Sequence, residues 1–310
     1  MPCEADQQDV SDGEDSVIAK AFDALHAALG GGQLGEAIIK REYLHLPGIV
    51  SGLEGAFPAI SDIEQALEQN AILPEDLRIS SDRRDLDLHH FRYVNRGMIE
   101  PQMLANSALM GSSVAINRVQ RRIPKAHRMA KRLEEWLGDA VEFVLIASFG
   151  PVGAFDPHHD EEHLVNVQLD GIKHWSLLGA PVAAGAPMEM EEEPGPLRQL
   201  TMNPGDVLYL PPGQRHICHT EGYSVHLSIM LQAATGAALR RRLEKALGES
   251  IVLQEPVPAM LGPENDRRMA EEFRSHLHGI VDQLNIEEIF AQERKHLRIR
   301  PKVTLLPRRR

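Results

Sequence analysis

The hydrophobic rhythm of the chain changes twice. From Val17 to Leu29 the apolar residues Val17, Ile18, Phe22, Leu25 and Leu29 recur at helical spacing, which predicts a helix that Gly30-Gly31-Gly32 ends. A second helix is predicted over Asp62 to Gln69. A third, amphipathic, covers Ala126 to Leu137, with Met129, Leu133, Trp136 and Leu137 on one side and Gly138 as its stop. Tyr43 to Leu46, before the Pro47-Gly48 turn, and Ser113 to Arg118 read as strands. After Gly138 the pattern becomes strand-like throughout: Val141 to Ser148, His163 to Leu169, His174 to Leu178, Arg198 to Met202, Val207 to Leu210 and Tyr223 to Leu231. Short strands separated by turn residues predict a closed or sandwiched antiparallel sheet. From about Thr235 the helical rhythm returns, and Met269, Phe273, Leu277, Ile280 and Leu284 form a stripe that needs a partner, either a helical subdomain or a second copy of the chain.

Residues 1–14 show no apolar period and carry Glu4, Asp6, Asp9, Asp12 and Glu14 with no basic residue between them. They are expected to form a disordered acidic head. Arg294, Lys295, Arg298, Arg300, Lys302 and Arg308 to Arg310 form a basic tail. The 310 residues, 43% hydrophobic and 25% charged, suit one large core with a smaller appendage. No apolar run approaches a membrane-spanning length and the N-terminus is acidic where a secretory signal is basic, so a cytoplasmic protein without membrane contact is expected. Cys3 and Cys218 offer no disulfide framework, which suits a reducing compartment. The net charge of −12 argues against direct nucleic-acid binding and for a basic partner. Glu189 to Glu193, followed by Pro194-Gly195-Pro196, reads as an exposed acidic loop.

Three constellations carry chemistry. In Pro157-His158-His159-Asp160 a histidine and a carboxylate two residues apart on an extended chain point to the same side and can share an ion. Alone, the same pattern also fits a surface turn. Gly205 to His216 reads as a turn, a strand, the Pro212-Gly213 turn and then a histidine. Together His158, Asp160 and His216 make the facial set of two imidazoles and one carboxylate that leaves positions open on Fe(II). His159 would face away from His158, as a supporting or surface residue, and Cys218 reads as a small buried hydrophobe. The third constellation is Gly171-Ile172-Lys173-His174-Trp175, where a lysine follows a strand and a turn at Asp170-Gly171. A lysine inside a barrel is costly unless an anion meets it, so Lys173 either binds an anionic ligand or is exposed and ordinary.

These motifs resemble the JmjC-type cupin oxygenases, especially their ribosomal oxygenase (cupin-4) group. The family pattern of His-x-Asp, then Gln-x-x-Gly-x-Lys-x-Trp, then Gly-Asp-x-Leu-Tyr-x-Pro-x-Gly-x-x-His is met by His158 and Asp160, by Gln168, Gly171, Lys173 and Trp175, and by Gly205 to His216. A following Ser-x-His is met by Ser224 and His226. The likeness is densest from Val141 to Gln232 and extends weakly over 36–235. It implies an α+β fold with a double-stranded β-helix core, N-terminal helices and a C-terminal helical segment. It also implies Fe(II), 2-oxoglutarate and molecular oxygen as cofactor and cosubstrates, with Lys173 on the distal carboxylate. Ser224 and His226 would lie near the cosubstrate, or else form a satisfied polar core. The implied activity is hydroxylation of an amino-acid side chain in a protein or peptide, a basic one favoured by the charge.

The alternatives are a hydroxylase of a free amino acid or peptide natural product, and a non-catalytic metal-binding cupin. The implied layout is an oxygenase domain over 15–235 and a dimerising helical segment over 236–310. The sequence departs from the family before the first motif, where Ile146-Ala147-Ser148 precedes a short Gly150-Pro151-Val152-Gly153 loop, and after it, at His163 and Val165 with Asn166 beyond them. Those positions are expected to line the substrate and cosubstrate pocket.

Overall fold

In the computed structural model, residues 4–91, 98–138, 140–183, 186–187, 194–231, 236–254 and 262–296 are described. Cys3, the acidic run Glu189 to Glu193 and the basic tail beyond His296 lie outside the described residues. The helices of the first part are α1 (Glu4–Gly30), α2 (Gln33–Lys40), α3 (Ile60–Glu68), α4 (Pro101–Leu109) and α5 (Pro124–Leu137). Ile18, Ala21, Leu25 and Leu29 form the buried stripe of α1. That helix starts at Glu4, so the acidic segment expected to be disordered is helical from residue 4 onward. Ion pairs that no apolar period reveals help to hold it: Arg128 on α5 pairs with Glu14 and, at 2.9 Å, with Asp15, and Lys125 lies 3.9 Å from Glu14.

The strands are β1 (Leu44–Leu46), β2 (Leu77–Ser81), β3 (Arg84–Asp85), β4 (Ser113–Asn117), β5 (Val141–Ser148), β6 (His163–Leu178), β7 (Pro196–Met202), β8 (Val207–Leu210) and β9 (Arg215–Leu231). They pair antiparallel in the order β1-β8-β6-β9-β5-β4-β2-β3, with β7 added along β6. The long strands β6 and β9 pair along their whole length. The first half of β6 is flanked by β8 and the second half by β7, while β5 flanks only the C-terminal half of β9. The pair therefore bends from one sheet into a second that faces it. This is the jelly-roll, or double-stranded β-helix, arrangement.

The turn expected at Asp170-Gly171 is not a turn. The strand passes through it with register shifts at Gln168/Asp170 and Gly171/Lys173, and these irregularities bend the ribbon. Gly171 has φ +62°, and a Cβ there would stand 2.1 Å from the Tyr223 carbonyl oxygen. Gly171→Ala is expected to destabilise the fold by at least about 1 kcal/mol, read as a lower urea midpoint. A midpoint equal to that of the wild type would show that the strands do not approach so closely.

The main core lies between the outer face of the larger sheet and the helices, where Ile79, Ile116, Leu145, Leu227 and Met129 are buried. Asp76, fully buried, is held between Arg118 and Arg122 at the edge of this layer. The inner face is different. Cross-strand partners there form rows, one running Arg78, Ala115, Ile146, His226 and the next Ser80, Ser113, Ser148, Ser224.

The chain divides at Gln232, and residues 233–310 form a second unit. It holds α6 (Gly236–Glu249), α7 (Ile251–Gln254), α8 (Pro263–Asp282) and α9 (Ile286–His296). Within it Arg242 bonds Gln292 at 2.6 Å, Ser250 bonds His276 at 2.7 Å, and Ile289 is buried. The stripe on α8 is only half-buried at Met269, Phe273 and Ile280, and Leu277 is exposed. Among the described residues no helix is long and apolar enough to cross a membrane.

Candidate metal centre and its cavity

The segment before β6 and the start of β9 are tied together by a pair of backbone hydrogen bonds. His158 N donates to His216 O at 3.1 Å and His216 N donates to His158 O at 2.8 Å. Gly213 N donates to the Asp160 carbonyl at 2.8 Å, which positions the carboxylate beside the two imidazoles. The Pro212-Gly213 turn permits this because Gly213 has φ +81°, and a Cβ would meet the Val182 carbonyl oxygen at 2.2 Å. As a result one ligand atom each from His158, Asp160 and His216 lies within 4.8 Å of the others, the one such cluster among the described residues.

The orientation of the rings suits a metal ion. His158 Nδ1 lies 2.8 Å from the Asp156 carbonyl and His216 Nδ1 lies 3.0 Å from the Gln214 carbonyl. A carbonyl can only accept, so each Nδ1 carries the proton and each Nε2 keeps its lone pair for an ion. Burial, and then the neighbouring His158, push His216 down to about 4, which keeps its ring in the ligating form at neutral pH. Asp160 Oδ2 stands 3.9 Å from His216 Nε2, beyond a hydrogen bond, so the two groups converge without closing on each other.

A cavity of about 230 Å³ opens from this triad between the two sheets. Lys173, on the second half of β6, is 1% exposed and lines it. Its Nζ donates to His226 Nδ1 at 2.9 Å, and no carboxylate among the described residues reaches it. Burial pushes Lys173 down to about 8 and His226 well below its ordinary value. Trp175 packs between His216 and His226, with ring centroids 5.3 and 5.5 Å away, and its buried Nε1 has no acceptor. A buried cation without an anion and a buried donor without an acceptor, in one cavity, fit a ligand rich in carboxylate oxygens.

The other residues singled out from the sequence are placed as follows. His226 lines the cavity, but Ser224 does not; its hydroxyl accepts from Gln168 Nε2 at 2.9 Å and belongs to the buried serine row. His159 is 3% exposed, so it is no surface residue, and its Nδ1 is unpartnered. Cys218 is half-buried at the cavity wall, where desolvation pushes its thiol up to about 12. His163 and Val165, expected to line the pocket, do not: His163 bonds the Tyr209 hydroxyl at 2.8 Å and Val165 is buried in the main core. Asn166 does line the cavity and accepts from Ser228.

Arg78, Asn117 and Phe155 also line the cavity and carry no motif. One signal for Arg78 exists: it is the one charged residue of β2 and stands opposite the small apolar Ala115 of β4.

Comparison with known proteins agrees with this geometry. Residues 116–239 match the JmjC domain family. Over 125 residues the chain is 32% identical to ribosomal oxygenase 2 of Mus musculus, covering 38% of this chain and 27% of that protein. Over 200 residues it is 23% identical to the bifunctional lysine-specific demethylase and histidyl-hydroxylase NO66 of Culex quinquefasciatus, covering 57% and 31%. The chain thus spans less than a third of the length of these curated relatives. The fold is similar to that of the Escherichia coli ribosomal oxygenase YcfD, with a TM-score of 0.51 at 15% identity over 83% of this chain and 68% of that one. The jelly-roll strands and the His158, Asp160 and His216 cluster agree with that match, so residues 116–239 are similar to the JmjC domain in both fold and site.

Proposed function

We propose that the protein is an Fe(II)- and 2-oxoglutarate-dependent oxygenase that hydroxylates an amino-acid side chain of a protein or peptide. The observation that carries this reading is the placement of an unpaired buried Lys173 and the orphaned Trp175 Nε1 in the same cavity as the His158, Asp160 and His216 triad. A structural metal needs neither donor. When bound, the iron and the keto acid supply the oxidising chemistry with molecular oxygen. The chain's own residues position and exclude. His158, Asp160 and His216 would hold the ion, as two imidazoles and one carboxylate suited to Fe(II). Lys173 and Trp175 would donate to the distal carboxylate of the keto acid. His226 Nδ1 accepts a hydrogen bond from Lys173 Nζ and so fixes its direction. Apolar Ala115, Val144, Ile146 and Leu164 line part of the wall and limit the water near the triad.

The relatives named for ribosomal oxygenation and histidyl hydroxylation support a protein substrate. The net charge of −12 supports a basic partner over a nucleic acid. The half-buried stripe on α8 supports a homodimer through the C-terminal helices. The low cysteine content supports a cytoplasmic setting.

The test is succinate formation from 2-oxoglutarate under aerobic Fe(II), with a panel of basic peptides. Peptide-stimulated succinate, absent in Asp160→Ala, is the expected result. Failure of 2-oxoglutarate to bind in the presence of metal would leave a metal-binding cupin without this activity. Unchanged turnover after neutralising Glu189 and Glu191 to Glu193 would remove the preference for a basic partner.

A further inference from the structure

We infer that Arg78 is a specificity residue of this site and that the substrate group it receives is a carboxylate. The inference rests on the oxygenase reading above and narrows its substrate. Arg78 stands on β2 in the cross-strand row Arg78, Ala115, Ile146, His226, so its side chain leaves the sheet on the same face as the His226 that Lys173 contacts. Ala115 is the small residue beside it in that row, and the space it leaves is part of the cavity that Arg78 lines.

The Arg78 side chain is 48% exposed and stands at the rim of the cavity, where two contacts hold its guanidinium. Its Nε donates to Asp85 Oδ1 at 2.6 Å across the β2–β3 hairpin, and its Cζ stands 4.2 Å from the centroid of the Phe155 ring. Phe155 in turn meets His158 edge to face, centroids 5.4 Å apart. The guanidinium is therefore one aromatic ring away from the metal triad. Asp85 occupies Nε alone, and the two terminal nitrogens have no partner among the described residues. A guanidinium with that edge free matches a carboxylate in the bidentate manner.

The composition of the wall decides the sign. The cavity lining contains Arg78 and Lys173 as cations, and Asp160, engaged in the triad, as its sole carboxylate among the described residues. A lysine or arginine side chain entering the cavity would meet a fixed cation and no free anion, whereas a carboxylate would be paired. The net charge of −12 acts over longer range and governs the approach of the partner as a whole. A basic partner can thus be steered to the mouth while an acid enters it. The carboxylate has two sources, the side chain of an aspartate or glutamate within a chain, or the main-chain carboxylate of a free amino acid or C-terminus.

The experiment uses the full chain loaded anaerobically with Mn(II) and saturating 2-oxoglutarate. Binding of four small probes is followed by ligand-observed NMR: N-acetyl-glutamate amide for a side-chain acid, N-acetyl-leucine for a main-chain acid, N-acetyl-glutamine amide and N-acetyl-lysine amide. At least one acid is expected to bind at least tenfold more tightly than the lysine probe, and whichever acid does so identifies the source. Arg78→Gln is expected to remove the preference, Arg78→Glu to reverse it and Arg78→Lys to keep part of it, with thermal unfolding of each variant confirming the fold. Equal binding of acid and lysine probes by the wild type overturns the inference, and so does a preference that survives Arg78→Gln. Metal-dependent binding of 2-oxoglutarate, measured in the same samples before the probes are added, tests the oxygenase reading separately.

Discussion

Asp160→Ala is expected to weaken binding of Mn(II) or Co(II) by about 100-fold or more and to abolish the rise in Tm that metal produces in the wild type. Asp160 is the one carboxylate lining the cavity among the described residues, and without it two imidazoles must hold a divalent ion alone. The fold should survive the change. The local geometry is set by backbone bonds, Gly213 N to Asp160 O and the reciprocal pair between His158 and His216, none of which uses the carboxylate. The Asp160 side chain is also 30% exposed, so its truncation leaves little buried void. At a metal concentration one hundred times the dissociation constant, the wild type should gain about 2.7 kcal/mol of stability that the variant lacks. The check is Mn(II) binding by electron paramagnetic resonance together with thermal unfolding at several metal concentrations. Wild-type affinity in Asp160→Ala would mean that the ion is held by other groups, and buried, unpartnered His159 would be the first to examine.

The second large effect concerns Lys173 and has two opposite parts. Lys173→Met is expected to stabilise the metal-free protein while weakening 2-oxoglutarate binding by about 100-fold or more. Burial pushes the ammonium from its ordinary 10.5 down to about 8, and no carboxylate offsets the cost. A depression of that size corresponds to about 3 kcal/mol, an upper bound on what a methionine of similar length recovers.

The sign with pH follows directly. Below about 8 the group is protonated in both folded and unfolded chains, so the folded state bears the full cost of the buried charge. Between about 8 and 10.5 the unfolded chain binds more protons than the folded one. Stability of the ligand-free wild type should therefore rise through that window in this contribution, and Lys173→Met should lack the rise. Urea unfolding at pH 7 and pH 9.5, wild type against variant, reads both predictions. A variant less stable than the wild type at pH 7 would show that Lys173 is paired in the apo protein after all. Retained 2-oxoglutarate binding would remove Lys173 from the ligand's contacts.

These opposite effects explain why the site was partly legible before any fold was known. A lysine at an inward strand position is an expensive choice, and the expense is visible in the pattern of residues around it. Motifs whose chemistry is local behave in the same way. Gly205-Asp206 and Pro212-Gly213 specify turns through φ and through Asp206 accepting from the Asn203 and Gly48 amides, at 2.9 and 2.8 Å. They thereby bring His216 to the head of β9 whatever lies elsewhere. The strands Val141 to Ser148 and Val207 to Leu210 likewise have the bounds that their apolar runs predict.

What sequence did not reveal are pairings between distant segments, because they depend on register and not on composition. Glu14 and Asp15 of helix α1, in or beside the segment expected to be disordered, meet basic residues of α5 more than a hundred positions away. Strand β6 continues through Asp170-Gly171 because β9 bends with it, and only the partner strand distinguishes such a bend from a turn. Ser224 and His226 are two residues apart on the same face of one strand, yet His226 lines the cavity while Ser224 is covered and bonded to Gln168. The sequence by itself thus determined the antiparallel type of core, most of the strands that build it and the three groups, His158, Asp160 and His216, that converge at one end of the cavity, since each follows from periodicity and short-range turn chemistry. Tertiary structure alone decided that Lys173 has no anion, that Ser224 is spent inside the sheet and that Arg78 stands at the rim of the cavity. Each of those is a question of which distant side chain stands opposite, and the answer is set by strand register across the whole barrel.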